Sequence, residues 1–324
     1  MASASRDHGV PSLNDRAMSV VARLISDAPG LGCEVTRISL ATVVDAGVNT
    51  PSSLDAGLLM ARIATADFAN VGLVPSEVDG HPLPAVTISV RHPTAACMAS
   101  QYAGWQIKHD DFFAMTSGPI RAAYGKEDLY DDIGFRERPG VAVGLMETAS
   151  LPPAELIDKL SEQTNVVRNQ IALLCAPTAS LAGSVQVVAR SVETALHKLH
   201  ELDFPLGRIQ SGFGHAPLPP VAADDLAAMG RTNDAVLYGG RVTLYVRGDD
   251  DILQEIGPKL PSGASDDAGR PFGEIFADAD HDFYEIDPML FAPAQVSFQN
   301  LETGNTFTFG ETNAEVLKAS FFSR

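Results

Sequence analysis

The chain has 324 residues, 45% of them hydrophobic, and few low-complexity runs, so it can bury a proper core in one large domain or two modest lobes. Its 41 acidic and 23 basic side chains leave a formal charge of −18, with no Lys/Arg cluster beyond scattered pairs. That balance argues against nucleic acid or an anionic membrane as a partner, because both need a cationic footprint. It is compatible with a neutral or cationic small molecule, and equally with charge that serves only solubility.

The N-terminal "MASASRDHGV" has no apolar h-region and does not read as a signal peptide. No apolar run reaches the roughly 18 residues of a membrane span. Cys33, Cys97 and Cys175 are widely spaced without a C-x-x-C, which points to a reducing, cytoplasmic setting. Apolar periodicity then predicts a helix over 12–28, strands near 33–46 and a helix over 52–68. A strand over 85–90 leads into a helix from near Pro93. The strand "VAVGLME" (141–147), a helix over 153–163 and the buried strand "QIALLCA" (170–176) follow. A long helix, "SVQVVARSVETALHKL" (184–199), comes next. Beyond it lie a strand over 241–247, a hairpin-like 295–310, and a last helix opening on the capping box Thr312-x-x-Glu315.

This alternation is an α+β pattern. "HPTAACMAS" (92–100) and "APTASLAGS" (176–184) share Pro-Thr-Ala-x4-Ser, each between a strand and a helix. The echo is either chance or the mark of two similar α+β subdomains. Two such lobes would divide as 1–140 and 141–324 at the "GFRERPG" stretch, with the chain free to cross between them. A ligand pocket is expected in the cleft between lobes.

Most chemical motifs are missing. There is no P-loop, and "GFGHAP" lacks the third glycine of a dinucleotide fingerprint. There is no H-E-x-x-H and no G-x-S-x-G. "DADHDFYEID" begins like a calcium loop at Asp278, Asp280 and Asp282, but Phe283 stands where glycine is needed and Met289 where the bidentate Glu belongs. His197 and His200 share a helix face without a third ligand, so no metal is expected.

The helix over 184–199 carries the distinctive feature. Val185, Val188, Val192 and Leu196 form its apolar face, while Gln186, Arg190, Glu193 and His197 align within a wedge of roughly 60° beside it. The Arg–Glu order is opposite to the one the macrodipole favours, so helix stabilisation alone explains it poorly. Two readings stand: a salt-bridged boundary stripe contributing about 0–1 kcal/mol, or a carboxylate aimed by a guanidinium for proton transfer to and from water. Upstream, Thr178, Ser180 and Ser184 surround a helix N-terminus, as caps or as ligand contacts. Ser117, Gly118 and Arg121, the turn with Gly47 and Asn49, and the polar run with Asn233, Asp234 and Tyr238 pose the same choice between architecture and pocket.

Long strings of the chain, "DAGVNTPSSLDAGLL", "QYAGW", "FAMTSGPIRA", "CAPTASLAGSVQVVARSVET", "GRTNDAVLYGGR", "PFGEIF", "DFYEIDPMLFAPAQV" and "NAEVLKASF", are similar to methenyltetrahydromethanopterin cyclohydrolases. The resemblance runs in order from about residue 15 to 323 and is weaker over "SGFGHAPLPP" (211–220). It implies a cytoplasmic hydrolase of one-carbon metabolism, serving methanogenesis or formaldehyde oxidation in methylotrophs, that needs no cofactor and no metal. Its substrate is the cyclic methenyl cation of a pterin. It implies two α+β subdomains with a pocket between them and a homo-oligomeric, trimeric assembly. It also implies Arg190 and Glu193 as the catalytic pair. Glu193 would be ionised near neutral pH on its ordinary pKa of about 4.3, with Arg190 holding that value down. The substrate contacts expected are Gln186, Thr178, Ser180, Ser184, Asn49, Ser117, Gly118, Asn233 and Tyr238. A folate-type methenyl cyclohydrolase and a non-catalytic pterin carrier are the competing readings.

Overall fold

The computed structural model describes residues 12–102, 104–282 and 285–322. The N-terminal stretch read for an export signal and Phe283 of the rejected calcium loop lie outside the described residues. In chain order the strands are β1 (Glu34–Ile38), β2 (Ala41–Asp45), β3 (Ala69–Val78), β4 (His81–Arg91), β5 (Trp105–His109) and β6 (Phe112–Ser117). They continue with β7 (Ala142–Glu147), β8 (Ile171–Ala176), β9 (Ile209–Pro217), β10 (Arg241–Val246), β11 (Gln295–Asn300) and β12 (Thr306–Gly310). They form two six-stranded sheets, ordered β1-β2-β8-β7-β6-β5 and β12-β11-β10-β9-β4-β3.

The first sheet has a parallel centre, β2-β8-β7, whose residues are buried almost throughout. Such strands need cover on both faces. The helices Leu13–Ser26 and Leu54–Ala64 bring Val20, Leu24, Met60 and Ile63 onto Val143, Leu145 and Leu174. On the other face, Leu156, Ile157 and Leu160 of the helix Ala154–Thr164 meet Val43, Leu173 and Cys175. All three cysteines are buried and free.

The second sheet is antiparallel except for β10-β11. Along β10 and β11 burial alternates residue by residue, with Thr243 and Ser297 on the half-exposed face. One covered face and one wet face is the usual solution for such a sheet. The helix Ser191–Glu201 lies on the covered face against β4, β9 and β10. Sheet membership cuts across residue 140, since β7 and β8 join β1, β2, β5 and β6, whereas β3 and β4 join β9–β12.

Four local differences from the periodicity reading have physical causes. The helix expected over 184–199 is two helices, Leu181–Val188 and Ser191–Glu201, interrupted at Ala189 and Arg190. The first packs on Leu54–Ala64 beside the parallel sheet and the second on the antiparallel sheet, so the break is where the chain passes between helical layers. The segment after Pro93 is a π-helix, Thr94–Gln101. The two Pro-Thr-Ala units are not equivalent: β4 has antiparallel neighbours on both sides and β8 parallel ones. The last helix, Ala314–Phe322, is capped by Asn313, whose Oδ1 accepts the Val316 N–H at 3.1 Å, rather than by Thr312.

Candidate active site

Arg190 and Glu193 sit at the junction of the two helices, with only 8% and 4% of their surface exposed. Arg190 occupies the cap position of the second helix and Glu193 its first turn. The guanidinium is held by acceptors from three other elements. Its Nη1 donates to the Gln101 carbonyl at 2.6 Å, and its Nη2 donates to Ser117 Oγ at 2.9 Å and Gln186 Oε1 at 3.4 Å. The Gln101 side chain is fully buried, and its Nε2 donates to the Ala189 carbonyl at 3.3 Å. The end of the π-helix therefore grips both the arginine and the backbone break beside it. π-Turns of this kind concentrate at functional sites.

Glu193 Oε2 lies 3.9 Å from Arg190 Nη1, an ion pair too long for a direct hydrogen bond. Among the described residues the carboxylate accepts no hydrogen bond. Burial pushes its pKa up to about 7, while the Arg190 and Arg121 charges pull the other way. This corrects the expectation of an ordinary carboxylate value: desolvation outweighs the guanidinium. Burial also raises the Cys97 thiol well above its ordinary range and Tyr102 to about 12, and the nearby Glu193 charge adds to both.

Arg121 is buried nearby. It makes a two-point contact with Glu127, Nε to Oε2 at 3.0 Å and Nη2 to Oε1 at 2.5 Å, and its Nη1 donates to the Tyr102 carbonyl. The carbonyls of consecutive residues 101 and 102 thus anchor both arginines.

The predicted hydroxyls gather at the start of the first helix. Ser180 caps it, accepting the Gly183 N–H at 3.0 Å and donating to the Pro177 carbonyl at 2.7 Å. Ser184 Oγ donates to the Thr178 carbonyl at 3.0 Å, and Thr178 Oγ1 donates to Glu147 Oε1. The turn with Gly47 and Asn49 is organised by Asp45, whose carboxylate accepts the N–H groups of Gly47, Val48 and Asn49 at 2.8–3.1 Å. Gly47, at φ +140°, lies against Ser180 so closely that a Cβ would sit 2.7 Å from the serine Cβ. Only glycine lets the turn close on the helix start. The Gly118 N–H donates to the Ser100 carbonyl at 2.8 Å, which ties the Ser117–Gly118 turn to the π-helix.

Two predicted contacts are engaged elsewhere. Asn233 Nδ2 bonds back to the Met229 carbonyl at 2.9 Å within the helix Asp225–Leu237. Tyr238 Oη donates to the Arg270 carbonyl at 2.6 Å and accepts the Gly269 N–H at 3.1 Å. Glu147, Gln101 and Asp45 escaped the sequence reading. Glu147 left one signal, a lone carboxylate closing the apolar strand "VAVGLME". Gln101 left none, because its carbonyl does the holding.

Two cavities, of 620 Å³ and 490 Å³, lie away from this centre, one among Asp267, Arg270, Asp278 and Asp282, the other under the β3–β4 hairpin. Among the described residues no group of three or more His, Cys, Asp and Glu side chains could hold a metal ion, and no helix is long and apolar enough to cross a membrane.

A buried carboxyl whose pKa is raised to about 7 beside an immobilised guanidinium is an arrangement that acid–base enzymes share. Residues 12–321 match the family described as Cyclohydrolase (MCH). Over 316 residues the chain is 43% identical to the methenyltetrahydromethanopterin cyclohydrolase of Rhodopirellula baltica, covering 96% of this chain and 95% of that protein. It is 42% identical to the enzyme of that name from Methylobacillus flagellatus, over 96% of this chain and 95% of that one. For the one from Methanocaldococcus jannaschii the figures are 41%, 95% and 98%. The chain belongs to the methenyltetrahydromethanopterin cyclohydrolase family.

Proposed function

We propose that the chain interconverts the cyclic methenyl cation of tetrahydromethanopterin and its open formyl form by adding and removing water. The observation that carries this is Glu193, buried, titrating near pH 7 and 3.9 Å from a fixed Arg190, in a chain of this family. The methenyl carbon lies between two ring nitrogens and shares their positive charge, so it is already electrophilic and needs neither a Lewis acid nor a cofactor. The missing component is a nucleophile stronger than bulk water.

In the forward direction, ionised Glu193 takes a proton from a water molecule as its oxygen bonds to the methenyl carbon. The resulting carbinolamine is neutral. The protonated carboxyl then returns its proton to the leaving nitrogen as the C–N bond breaks. The carbinol O–H proton goes to solvent as the formyl C=O forms, so one proton is released overall. Arg190 steadies the developing oxygen and limits the rise of the Glu193 pKa. A pKa near the working pH suits a group that must act as base and then as acid.

In this reading the two sheets with their helices form two lobes, divided by sheet membership rather than by a single cut near residue 140. The pocket lies between them at the Ala189–Arg190 junction. Gln186, Ser117, Gly118, Thr178, Ser180, Ser184 and Asn49 supply its polar lining. The assembly is a homo-oligomer, a trimer by the family resemblance, in a cytoplasmic setting, with no nucleic-acid partner. The test is spectroscopic: the methenyl chromophore should bleach with turnover when purified protein is added. Bleaching of a methenyl folate but not the methanopterin would move the assignment to a folate enzyme. Stoichiometric binding without bleaching would make the chain a carrier.

A further inference from the structure

We propose that Glu147, oriented by Thr178, is a specificity-determining contact that accepts the N–H donors on the pyrimidine edge of the pterin, an inference that rests on the cyclohydrolase reading. Glu147 ends β7, beside β8 in the parallel centre of the first sheet. In the antiparallel β6–β7 pair, Ser117 faces Leu145 and Met115 faces Glu147. Directly opposed residues point to one side of a sheet. The Glu147 side chain therefore leaves the sheet on the face from which Ser117 holds Arg190.

Three carboxylates line this rim, and Asp45 has both of its oxygens committed. Asp45 Oδ1 accepts from Gly47 N, Val48 N and Thr50 Oγ1, and its Oδ2 accepts from the backbone and side-chain amides of Asn49. Asp225 Oδ1 accepts the Ala179 N–H at 2.8 Å and fixes the loop after β8. Glu147 differs. Thr178 engages its Oε1, and Oε2 accepts no hydrogen bond from the described residues. The residue is only partly covered, and Oε2 is not among the fully buried side-chain atoms that lack a partner, so some of its surface is reachable. Protein atoms nonetheless crowd the carboxyl: burial raises its pKa, opposed by the Thr178 hydroxyl and the Arg190 charge. An ionisable acceptor held in place and still reachable is what a ligand contact in a cleft requires.

The ligand chemistry follows from the acceptor. A carboxylate carries about four lone-pair sites and uses both oxygens best against two parallel N–H groups. The 2-amino group and the adjacent ring N–H of a pterin present that pair. Arg190 lies between Glu193 and Glu147 electrostatically, since both carboxylates act on its charge. One guanidinium thereby sets the reacting end and the recognition end of the same site.

The test measures steady-state kinetics with methenyltetrahydromethanopterin and with its analogue lacking the 2-amino group. Wild-type turnover of the natural substrate is the control, and its absence would remove the cyclohydrolase reading rather than this one. Given that turnover, wild type should show KM roughly 10- to 100-fold higher for the analogue, the range for a charge-assisted hydrogen bond. This arm requires no variant to fold. Glu147→Gln should raise KM for the natural substrate by a similar factor, hold kcat within about threefold, and narrow the KM difference between the two substrates severalfold, because the amide keeps one acceptor and loses the charge and the second. Equal KM values in wild type would overturn the proposal. So would a Glu147→Gln enzyme that loses kcat and discriminates as fully as wild type, which would make Glu147 a positioning residue for Arg190.

Discussion

Replacing Glu193 by Gln should cost the enzyme its reaction and yield a more stable protein at alkaline pH. The carboxyl pKa stands at about 7, against an ordinary 4.5. Below pH 4.5 the group is protonated in both the folded and the unfolded chain and pH has no leverage. Between 4.5 and about 7 the unfolded chain releases the proton while the folded one retains it, so stability falls as pH rises. Above 7 both states are ionised and the full penalty remains. At about 1.4 kcal/mol per pH unit it comes to roughly 3 kcal/mol, most of which accrues between pH 5 and pH 8. Glutamine is nearly isosteric and never ionises. It gives up the long ion pair with Arg190, which keeps its bonds to Gln101, Ser117 and Gln186. The gap between variant and wild type should therefore widen in the variant's favour by a few kcal/mol, about 2–3, from pH 5 to pH 8, or roughly 4 °C in Tm for a chain of this size. Thermal melts of both proteins at the two pH values read it directly, and turnover should fall by about 10²–10⁴-fold in the same samples. A gap independent of pH would mean that Glu193 titrates as an ordinary carboxyl. Near-wild-type turnover would remove it from the mechanism.

The pH profile of kcat/KM for hydrolysis should rise to a plateau with an apparent pKa near 7, and Arg190→Gln should move that limb upward, because Arg190 is the larger of the two charges that lower Glu193; an unshifted limb would contradict the coupling. Arg190→Lys should lose turnover by at least about tenfold, since one ammonium cannot reproduce a planar fork that spans Gln101 O, Ser117 Oγ and Gln186 Oε1; full activity would reduce Arg190 to a salt-bridge partner. Gly57→Ala should destabilise by about 1–3 kcal/mol, because its Cβ would lie 2.6 Å from Val185 Cβ and 3.0 Å from Ala182 Cα where two helices cross; an unchanged Tm would show that the contact yields freely. Activity should survive exhaustive dialysis against a chelator, and recovery of a chelator-killed enzyme on adding zinc or magnesium would refute a reaction driven only by the substrate's own charge.

The missed hairpin shows where sequence reading falters. β3 and β4 turn at Asp79 and Gly80, both at positive φ (49° and 76°), a dipeptide well suited to the two-residue hairpin turn. The signal was present, but Pro75, Pro82 and Pro84 interrupt the alternation and argue against a strand. Pro75 is tolerated because β3 is the edge of its sheet, and it pairs with Pro84.

By itself the sequence determined what depends on neighbours along the chain. The apolar period of 13–26, 54–64 and 154–164 produces helices there, and the continuous apolar runs at 142–147 and 171–176 produce buried strands. The i, i+3 spacing that puts Arg190 beside Glu193 was legible too. Tertiary structure alone decided what surrounds the pair. Nothing between 184 and 199 breaks a helix: Ala189 and Arg190 are good helix formers. The interruption falls where the chain passes between helical layers, and Gln101, 88 residues from Ala189, meets it there, its side chain donating to the Ala189 carbonyl and its backbone carbonyl accepting from the Arg190 guanidinium. The pKa of Glu193 likewise belongs to no local pattern. A carboxyl in the first turn of a solvated helix stays in the ordinary carboxylate range; this one reaches about 7 because burial, with the π-helix packed against its helix, keeps water from it. Desolvation is a property of everything packed around a group, and most of that packing comes from residues distant in the chain.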